Sequence, residues 1–329
     1  MIKRFLDTME KGPFAPLVHE RGIAIGVSGG PDSMALAHLL SRWSQVKKGP
    51  HIHVMSVDHG LRPEAAAEVA FVGEIVSAWP GVTHHALHWD GEKTVQKIQE
   101  TARLMRYQLM ERCCGGLGVK YLFLAHHQDD QAETVLFRLA KGSGLDGLAG
   151  MRREQLRGKI MLMRPFLDFS KDEILSYCAS ENLPYIDDPS NRKEMFARVR
   201  LRASREVLEK EGLSAKRLSI TARRLERAAQ ALEDMTEKCY AESLSIKNTN
   251  RIAFNVSVLL SQSEEIVLRV LMRGIRALTD YGEHGPRMER LEALCDALMQ
   301  GRLGKARTLG GVIFRVSENE LILEREHRK

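Results

Sequence analysis

Cysteine pairs are missing from this sequence. Its five cysteines, Cys113, Cys114, Cys178, Cys239 and Cys295, are odd in number and contain no C-x-x-C spacing. That argues against a disulfide framework and against a zinc or iron–sulfur site, and predicts reduced, mostly buried thiols. Long apolar runs are missing too: none approaches the roughly 20 residues of a membrane span. The opening stretch MIKRFLDTMEKG has neither the apolar core nor the cleavage site of a secretion signal. A cytoplasmic protein without a membrane partner is the expectation. Aromatic residues are scarce, at 6%, and little interleaved with arginine, which disfavours a stacking platform for single-stranded nucleic acid. Finally, the glycine turn Ser28-Gly29-Gly30-Pro31-Asp32-Ser33 that follows the first apolar run is neither G-x-x-x-x-G-K-S/T nor G-x-G-x-x-G, so kinase-like and dinucleotide-binding readings lose ground.

What is present describes a globular protein. Hydrophobic residues make up 43% and charged residues 28% of 329 residues, enough for two domains with their own cores. The formal net charge of +6 is mild, but its distribution is uneven. Between Arg192 and Arg227 lysines and arginines outnumber acids. A solvated helix face explains part of this stretch; a surface for a nucleic-acid phosphate backbone is the sharper reading, and a folded RNA read by shape fits best.

One stretch organises the rest. The apolar run Ile23 to Val27 has the length and β-branched content of a buried parallel strand, and it stops at Ser28-Gly29-Gly30-Pro31-Asp32-Ser33 before a helical pattern starts at Met34. In such a strand–turn–helix the glycines let the backbone approach an anion, while the helix N-terminus offers free N–H groups and its positive dipole end. Pro31 suits a first helical position, Ser28 and Ser33 can donate to phosphate oxygens, and Asp32 can hold magnesium. A glycine turn capped by serine or aspartate is the plainer account.

Further strands are predicted at Ile52–Val57, Val82–Trp89, Tyr121–Ala125 and near Ile160–Arg164. In an open parallel sheet ligands sit beyond the carboxyl ends of the strands. Asp58, in the loop after the second strand, could therefore wall a nucleoside, or merely cap the helix that follows. His84, His85 and His88 in the third strand suggest a metal but lack carboxylate or cysteine neighbours at ligand spacing, so edge histidines are the better reading. A helix over Thr94–Cys114 is predicted to bury Ile98, Ala102, Met105, Leu109 and Met110. Its Arg103 and Arg106, three apart, could reach one anionic substrate or face solvent. After the fourth strand, Asp130 and Glu133 share a helix face at the end expected to meet the same crevice. Together they could hold a cation or a substrate ammonium, or form a capping box with Asp129.

The ordered set SGGPDS, VDHGLR, AHHQDDQAET and KGSGLDGLAGM resembles the PP-loop ATP pyrophosphatases, and within them the bacterial tRNA(Ile)-lysidine synthetases. The likeness continues through Arg164-Pro165-Phe166, Asp187-Asp188-Pro189-Ser190-Asn191, Arg198 to Arg202, and the closing TLGGVIFRVSENELILERE. The resemblance implies use of ATP and magnesium to join free L-lysine to C2 of the wobble cytidine 34 in the CAU-anticodon isoleucine tRNA, through an O2-adenylated intermediate. Under it, Ser28, Gly29, Gly30, Pro31, Asp32 and Ser33 match the pyrophosphate and magnesium loop. Asp130 and Glu133 match acids at the lysine and metal end of the pocket, with Asp32 and Asp130 as metal ligands. Arg103 or Arg106, and Arg198, match arginines near the phosphates or the flipped base; the spacing does not choose between the first two. Val199 stands where many members have asparagine. How methionine tRNA, with the same anticodon, is rejected is not written in the sequence, and a homodimer is compatible with it.

The implied architecture is a doubly wound parallel α/β domain over residues 1–194, an arginine-rich helical linker over 195–212, and a smaller, mostly helical domain over 213–329 that ends in a β-hairpin. Two rivals stand beside this reading. A PP-loop tRNA thiolation enzyme shares nucleotide activation but calls for a cysteine pair or cluster ligands, and Cys113-Cys114 are adjacent rather than spaced. A non-catalytic nucleotide-binding module would not need the acidic cluster or the basic second half.

Overall fold

The computed structural model describes residues 1–60, 63–89, 91, 98–186, 205–279, 285–304 and 306–326. The chain divides into two compact units, Met1–Glu226 and Arg227–Lys329.

In the first unit α1 (Ile2–Met9) precedes β1 (Gly22–Gly26), α2 (Pro31–Lys47), β2 (His51–Asp58), α3 (Ala65–Ser77) and β3 (Val82–His88). After these come α4 (Ile98–Leu117), β4 (Tyr121–Phe123), α5 (Gln128–Leu139), the single turn α6 (Leu145–Leu148), β5 (Glu154–Arg157), β6 (Ile160–Met163) and α7 (Lys171–Ser180). The strands form one sheet in the order β3-β2-β1-β4-β6-β5. All neighbours pair in parallel except β5, which runs antiparallel to β6 at one edge. The short, polar Glu154–Arg157 carries no periodic signal, which is why the sequence did not announce it.

Both faces of the sheet are covered, which accounts for the unbroken apolar run of β1. Ile23, Ile25 and Val27 join one core with Met34, Leu36 and Leu40 of α2, whereas Ala24 faces the other core with Tyr107, Met110 and Cys114 of α4. The buried side of α4 is thus turned from the predicted one. Of the predicted residues Met110 is buried, Ala102, Met105 and Leu109 are half-buried, and the Ile98 side chain lies outside the described residues, while Tyr107 and Cys114 take the rest of the interior. All five cysteines are free, four of them buried and Cys113 half-buried, as expected.

The strand order places a topological switch at β1, whose two neighbours β2 and β4 lie on opposite sides of it. The crevice that receives ligands in such sheets opens at this point, beyond the carboxyl ends of β1 and β4. Those ends carry Val27–Gly30 and Leu124–His127.

Next come α8 (Arg205–Lys210) and the long α9 (Ala215–Ser243), which begins in the first unit and ends in the second. The second unit continues with β7 (Leu244–Lys247), β8 (Arg251–Asn255), α10 (Val256–Leu260), α11 (Glu264–Leu278), α12 (Met288–Met299), β9 (Arg307–Leu309), β10 (Val312–Ser317) and β11 (Glu320–Arg325). The expected closing hairpin is β10–β11. It is the middle of an antiparallel five-stranded sheet, β7-β8-β11-β10-β9, that the sequence did not predict. Phe254, Phe314 and Leu323 of this sheet pack with Val270 and Ile275 of α11 and Leu298 of α12. Helix and sheet approach so closely at Gly274 that a Cβ there would stand 2.6 Å from Leu323 Cδ2.

Candidate functional site

The loop between β1 and α2 is held open by local chemistry. Gly29 has φ +86°, a left-handed conformation that other residues avoid, and a Cβ on it would lie 2.9 Å from Ile186 Cδ1. Its carbonyl accepts the Ile186 amide at 2.9 Å. Pro31 is the first residue of α2 and Asp32 stands in its first turn. Ser33 Oγ donates to the Gly30 carbonyl at 3.0 Å and accepts the Ser28 amide at 3.2 Å, with Ser28 Oγ 3.4 Å away. The two hydroxyls therefore tie the ends of the turn together, in front of a 17-residue helix whose dipole favours an anion there.

Asp130 comes to the same place from β4. The helix α5 begins after His127, and Asp130, in its first turn, accepts the His127 amide at 3.0 Å. The capping relation anticipated for this cluster exists, but its residues are His127 and Asp130 rather than Asp129 or Asp130 with Glu133. The nearly buried imidazole of His127 is then surrounded by carboxylates. Its Nε2 is 3.8 Å from Asp32 Oδ1 and 3.5 Å from Asp130 Oδ2, and its Nδ1 is 3.6 Å from Asp129 Oδ2. One ring thus links the phosphate-type loop to the acidic cluster. Glu133 is half-buried one turn further along α5, on the face of Asp130.

A residue that the sequence did not single out completes this cluster. Lys171 Nζ lies 2.7 Å from both carboxylate oxygens of Asp32, and the Lys171 amide donates to Asp129 Oδ2 at 3.0 Å. Ser170 and Glu173 form the capping box that starts α7 at Lys171. The sequence S-K-D-E signals that helix start, but nothing local ties Lys171 to Asp32, which is 139 residues away in the chain.

Next to His127 in the chain, His126 sits among arginines. Arg164 is 4% exposed and donates to the Arg152 carbonyl at 2.9 Å and to Gln155 Oε1 at 3.0 Å, while its Nε has no partner among the described residues. Burial lowers its pKa, as do Arg103 and Arg138 nearby, against an opposing effect of Tyr107. His126 Nδ1 and Arg106 Nε are likewise buried without a partner among the described residues. Burial, reinforced by Arg164, Arg103 and Arg106, pushes His126 down to about 3, so its imidazole is neutral at neutral pH. The structure distinguishes the two candidate arginines of α4. Arg103 is exposed, whereas Arg106 is half-buried and stacks its guanidinium 5.7 Å from the Tyr107 ring centroid. Unpaired buried donors of this kind suit an anion.

Asp58 ends β2, one strand away from β1. Its carboxylate accepts the Gly60 amide at 2.7 Å and faces His88 Nδ1 at 3.6 Å. Arg198, with Val199 and the basic run from Arg192 to Arg202, lies outside the described residues, as does Asp187-Asp188-Pro189-Ser190-Asn191. Of the basic residues of this region in described elements, Lys216, Arg217, Arg223, Arg224 and Arg227 are exposed on α9 at spacings that place them on one side, and Lys210 is exposed at the end of α8. Leu218 and Ala222, on the opposite side, are buried against Ala132 and Val135 of α5.

Among the described residues no group of three or more His, Cys, Asp and Glu side chains is arranged to hold a metal ion. The carboxylates of Asp32 and Asp130, both near His127 Nε2, are hard oxygen donors of the kind magnesium takes, and that of Asp32 is occupied by Lys171. The histidines of β3 are on an edge strand, where His85 Nε2 is 3.0 Å from His53 Nδ1. Cys178 is buried under the loop, its Sγ 3.6 Å from the Pro31 carbonyl, and burial raises its pKa. No described helix is long and apolar enough to cross a membrane.

Known proteins resemble this chain in sequence and in fold. The PP-loop domain family matches residues 2–210. A tRNA(Ile)-lysidine synthase of Rhodopseudomonas palustris is 38% identical over 313 residues, 92% of this chain and 89% of its own length. That of Wolbachia pipientis wMel is 34% identical over 93% of this chain and 71% of its own. Among solved structures, the U34-tRNA thiolase NcsA from Methanococcus maripaludis superposes with a TM-score of 0.59 at 18% identity, covering 70% of this chain and 78% of that one, a likeness of fold.

Proposed function

Since the chain belongs to the tRNA(Ile)-lysidine synthase family of PP-loop proteins, we propose that it is the ligase that forms lysidine at the wobble cytidine 34 of the CAU-anticodon isoleucine tRNA. ATP activates O2 of the cytosine with release of pyrophosphate, the ε-amino group of free L-lysine attacks C2, and AMP leaves. The observation that carries this reading is the meeting, through His127, of the Ser28–Ser33 loop with the Asp130 end of α5. Two binding sites of opposite sign are needed side by side: one for a polyphosphate, one for an ammonium. The loop hydroxyls, free amides and helix dipole serve the first. Asp130 and Glu133 serve the second, and their charge keeps the incoming lysine close to the base.

Magnesium bound by Asp32 and Asp130 would neutralise charge on the leaving pyrophosphate. Arg106, Arg164 and neutral His126 offer unpaired donors for the anionic parts of the reactants, and the unstacked cytosine must present O2 and C2 to the same crevice. Lys216, Arg217, Arg223 and Arg224, on one side of α9, suit the tRNA backbone. A thiolation reaction is disfavoured by Cys178, the thiol under the loop, which is buried and protonated more firmly than usual.

The test is nucleoside analysis of a CAU-anticodon isoleucine tRNA incubated with the protein, ATP, magnesium and lysine. Lysidine and a matching amount of AMP are expected. Absence of lysidine with folded protein, or a sulfur-containing nucleoside when a sulfur donor is supplied, would overturn the proposal.

A further inference from the structure

The loop from Ser28 to Ser33 contains no lysine or arginine. Beside it three carboxylates, those of Asp32, Asp129 and Asp130, crowd one imidazole. A polyanion entering this place meets like charge within a few ångströms unless a cation stands there as well. Among the described residues the ammonium that touches the loop is that of Lys171, 2.7 Å from each oxygen of Asp32.

Two features of Lys171 go beyond what a charge clamp on Asp32 requires. Its main chain is fastened from both sides: the capping box of Ser170 and Glu173 fixes it as the first residue of α7, and Asp129 of α5 accepts its amide. Its side chain remains 32% exposed and that of Asp32 28%, so the pair is reached by solvent rather than sealed in the core. A long, flexible stem on a fixed backbone can move its charge a few ångströms at little cost.

We propose that Lys171 is a nucleotide-binding residue. It holds Asp32 while the loop is empty, and passes its ammonium to a phosphate oxygen when ATP enters, leaving the Asp32 carboxylate available to a divalent cation. Lys171 thus supplies from α7 the positive charge that other phosphate loops carry within the loop. The inference rests on the assignment of ATP to this loop made above.

Calorimetric titration of the full-length chain with ATP, once in EDTA and once in magnesium, tests it with four proteins: wild type, Lys171→Met, Asp32→Asn and the double variant. In EDTA, Lys171→Met should weaken ATP binding about tenfold or more, the size typical of losing one charge-assisted hydrogen bond. Asp32→Asn, which frees Lys171, should bind at least as tightly as wild type. The double variant leaves no orphaned carboxylate and keeps the folded state free of a new buried charge. It should bind about fivefold or more weakly than Asp32→Asn alone. If the double variant binds as well as Asp32→Asn, Lys171 only neutralises Asp32 and the inference is wrong. A wild-type chain that binds no ATP in either buffer would instead overturn the function assigned to the loop.

Discussion

Asp129 and Lys171 sit at the starts of two different helices and are joined side chain to main chain, the Asp129 carboxylate accepting the Lys171 amide at 3.0 Å. This bond sets α7 against α5, and so decides where the lysine can reach. It also gives Asp129 a task distinct from that of Asp130, its neighbour in sequence, which accepts the His127 amide.

Asp129→Ala is therefore expected to destabilise the protein by about 1 to 3 kcal/mol, the range for losing a hydrogen bond to a charged acceptor and leaving an unpaired amide. Asp129→Asn keeps an oxygen acceptor and should recover most of the loss. Urea unfolding of both variants checks this; equal stability of the alanine variant and wild type would mean the amide finds water instead.

Asp32→Asn should leave the fold intact and nearly abolish magnesium-dependent pyrophosphate release, since a full ligand charge is removed. Pyrophosphate release at the wild-type rate would reduce Asp32 to a residue of the first helical turn.

For Glu133→Gln a fall in lysidine formation of at least about tenfold is expected, equivalent to about 1.4 kcal/mol. The amide keeps the size and much of the hydrogen bonding of the carboxylate but not its charge. Steady-state kinetics with lysine and ATP varied separately would show where the loss falls; unchanged constants for both would assign Glu133 to the structure of α5 alone.

On β2, burial together with His51 and His85 pushes His53 down to about 4. In the unfolded chain the same imidazole takes its proton near 6.5. The unfolded state thus binds more protons between these values, and folding stability falls as pH drops through that window. His53→Gln, which cannot titrate, should flatten the pH dependence of unfolding midpoints between pH 7 and pH 5. An unchanged slope would show that His84 and His85, also lowered by burial, carry the effect.

On α9, Lys216→Ala with Arg224→Ala should weaken tRNA binding and reduce the salt slope by roughly 0.7 to 0.9 for each phosphate no longer neutralised, with ATP affinity unaltered. These two positions are chosen because Arg223 approaches Asp168 at 3.7 Å and Arg217 donates to the Gly212 carbonyl at 3.2 Å. Filter binding over a salt series is the measurement. Coincident curves for variant and wild type would return this face to plain solvation.

Local chemistry was enough to locate the site's two halves. An apolar β-branched run that stops at Ser28-Gly29-Gly30 reads as strand and turn whatever surrounds it, and so does Tyr121-Leu122-Phe123 ahead of the acids of α5. Helical patterns over 216–243, 264–281 and 286–299 were legible for the same reason, since each lies within a single stretch of chain; they correspond to α9, α11 and α12, whose ends differ by a few residues. Local signals could not rank the faces of α4. Tyr107 turned inward because the sheet, not the helix, offered Ala24, Leu122 and Leu162 as its neighbours. Nor did they yield β8, or β5, β7 and β9, the last three being short strands formed by pairing with an apolar partner rather than by their own composition. Above all, they could not find Lys171. Its bonds to Asp32 and Asp129 span 139 and 42 residues, and which ammonium meets which carboxylate follows from the strand order that brings the ends of β1 and β4 together, a long-range packing decision that no window of sequence contains.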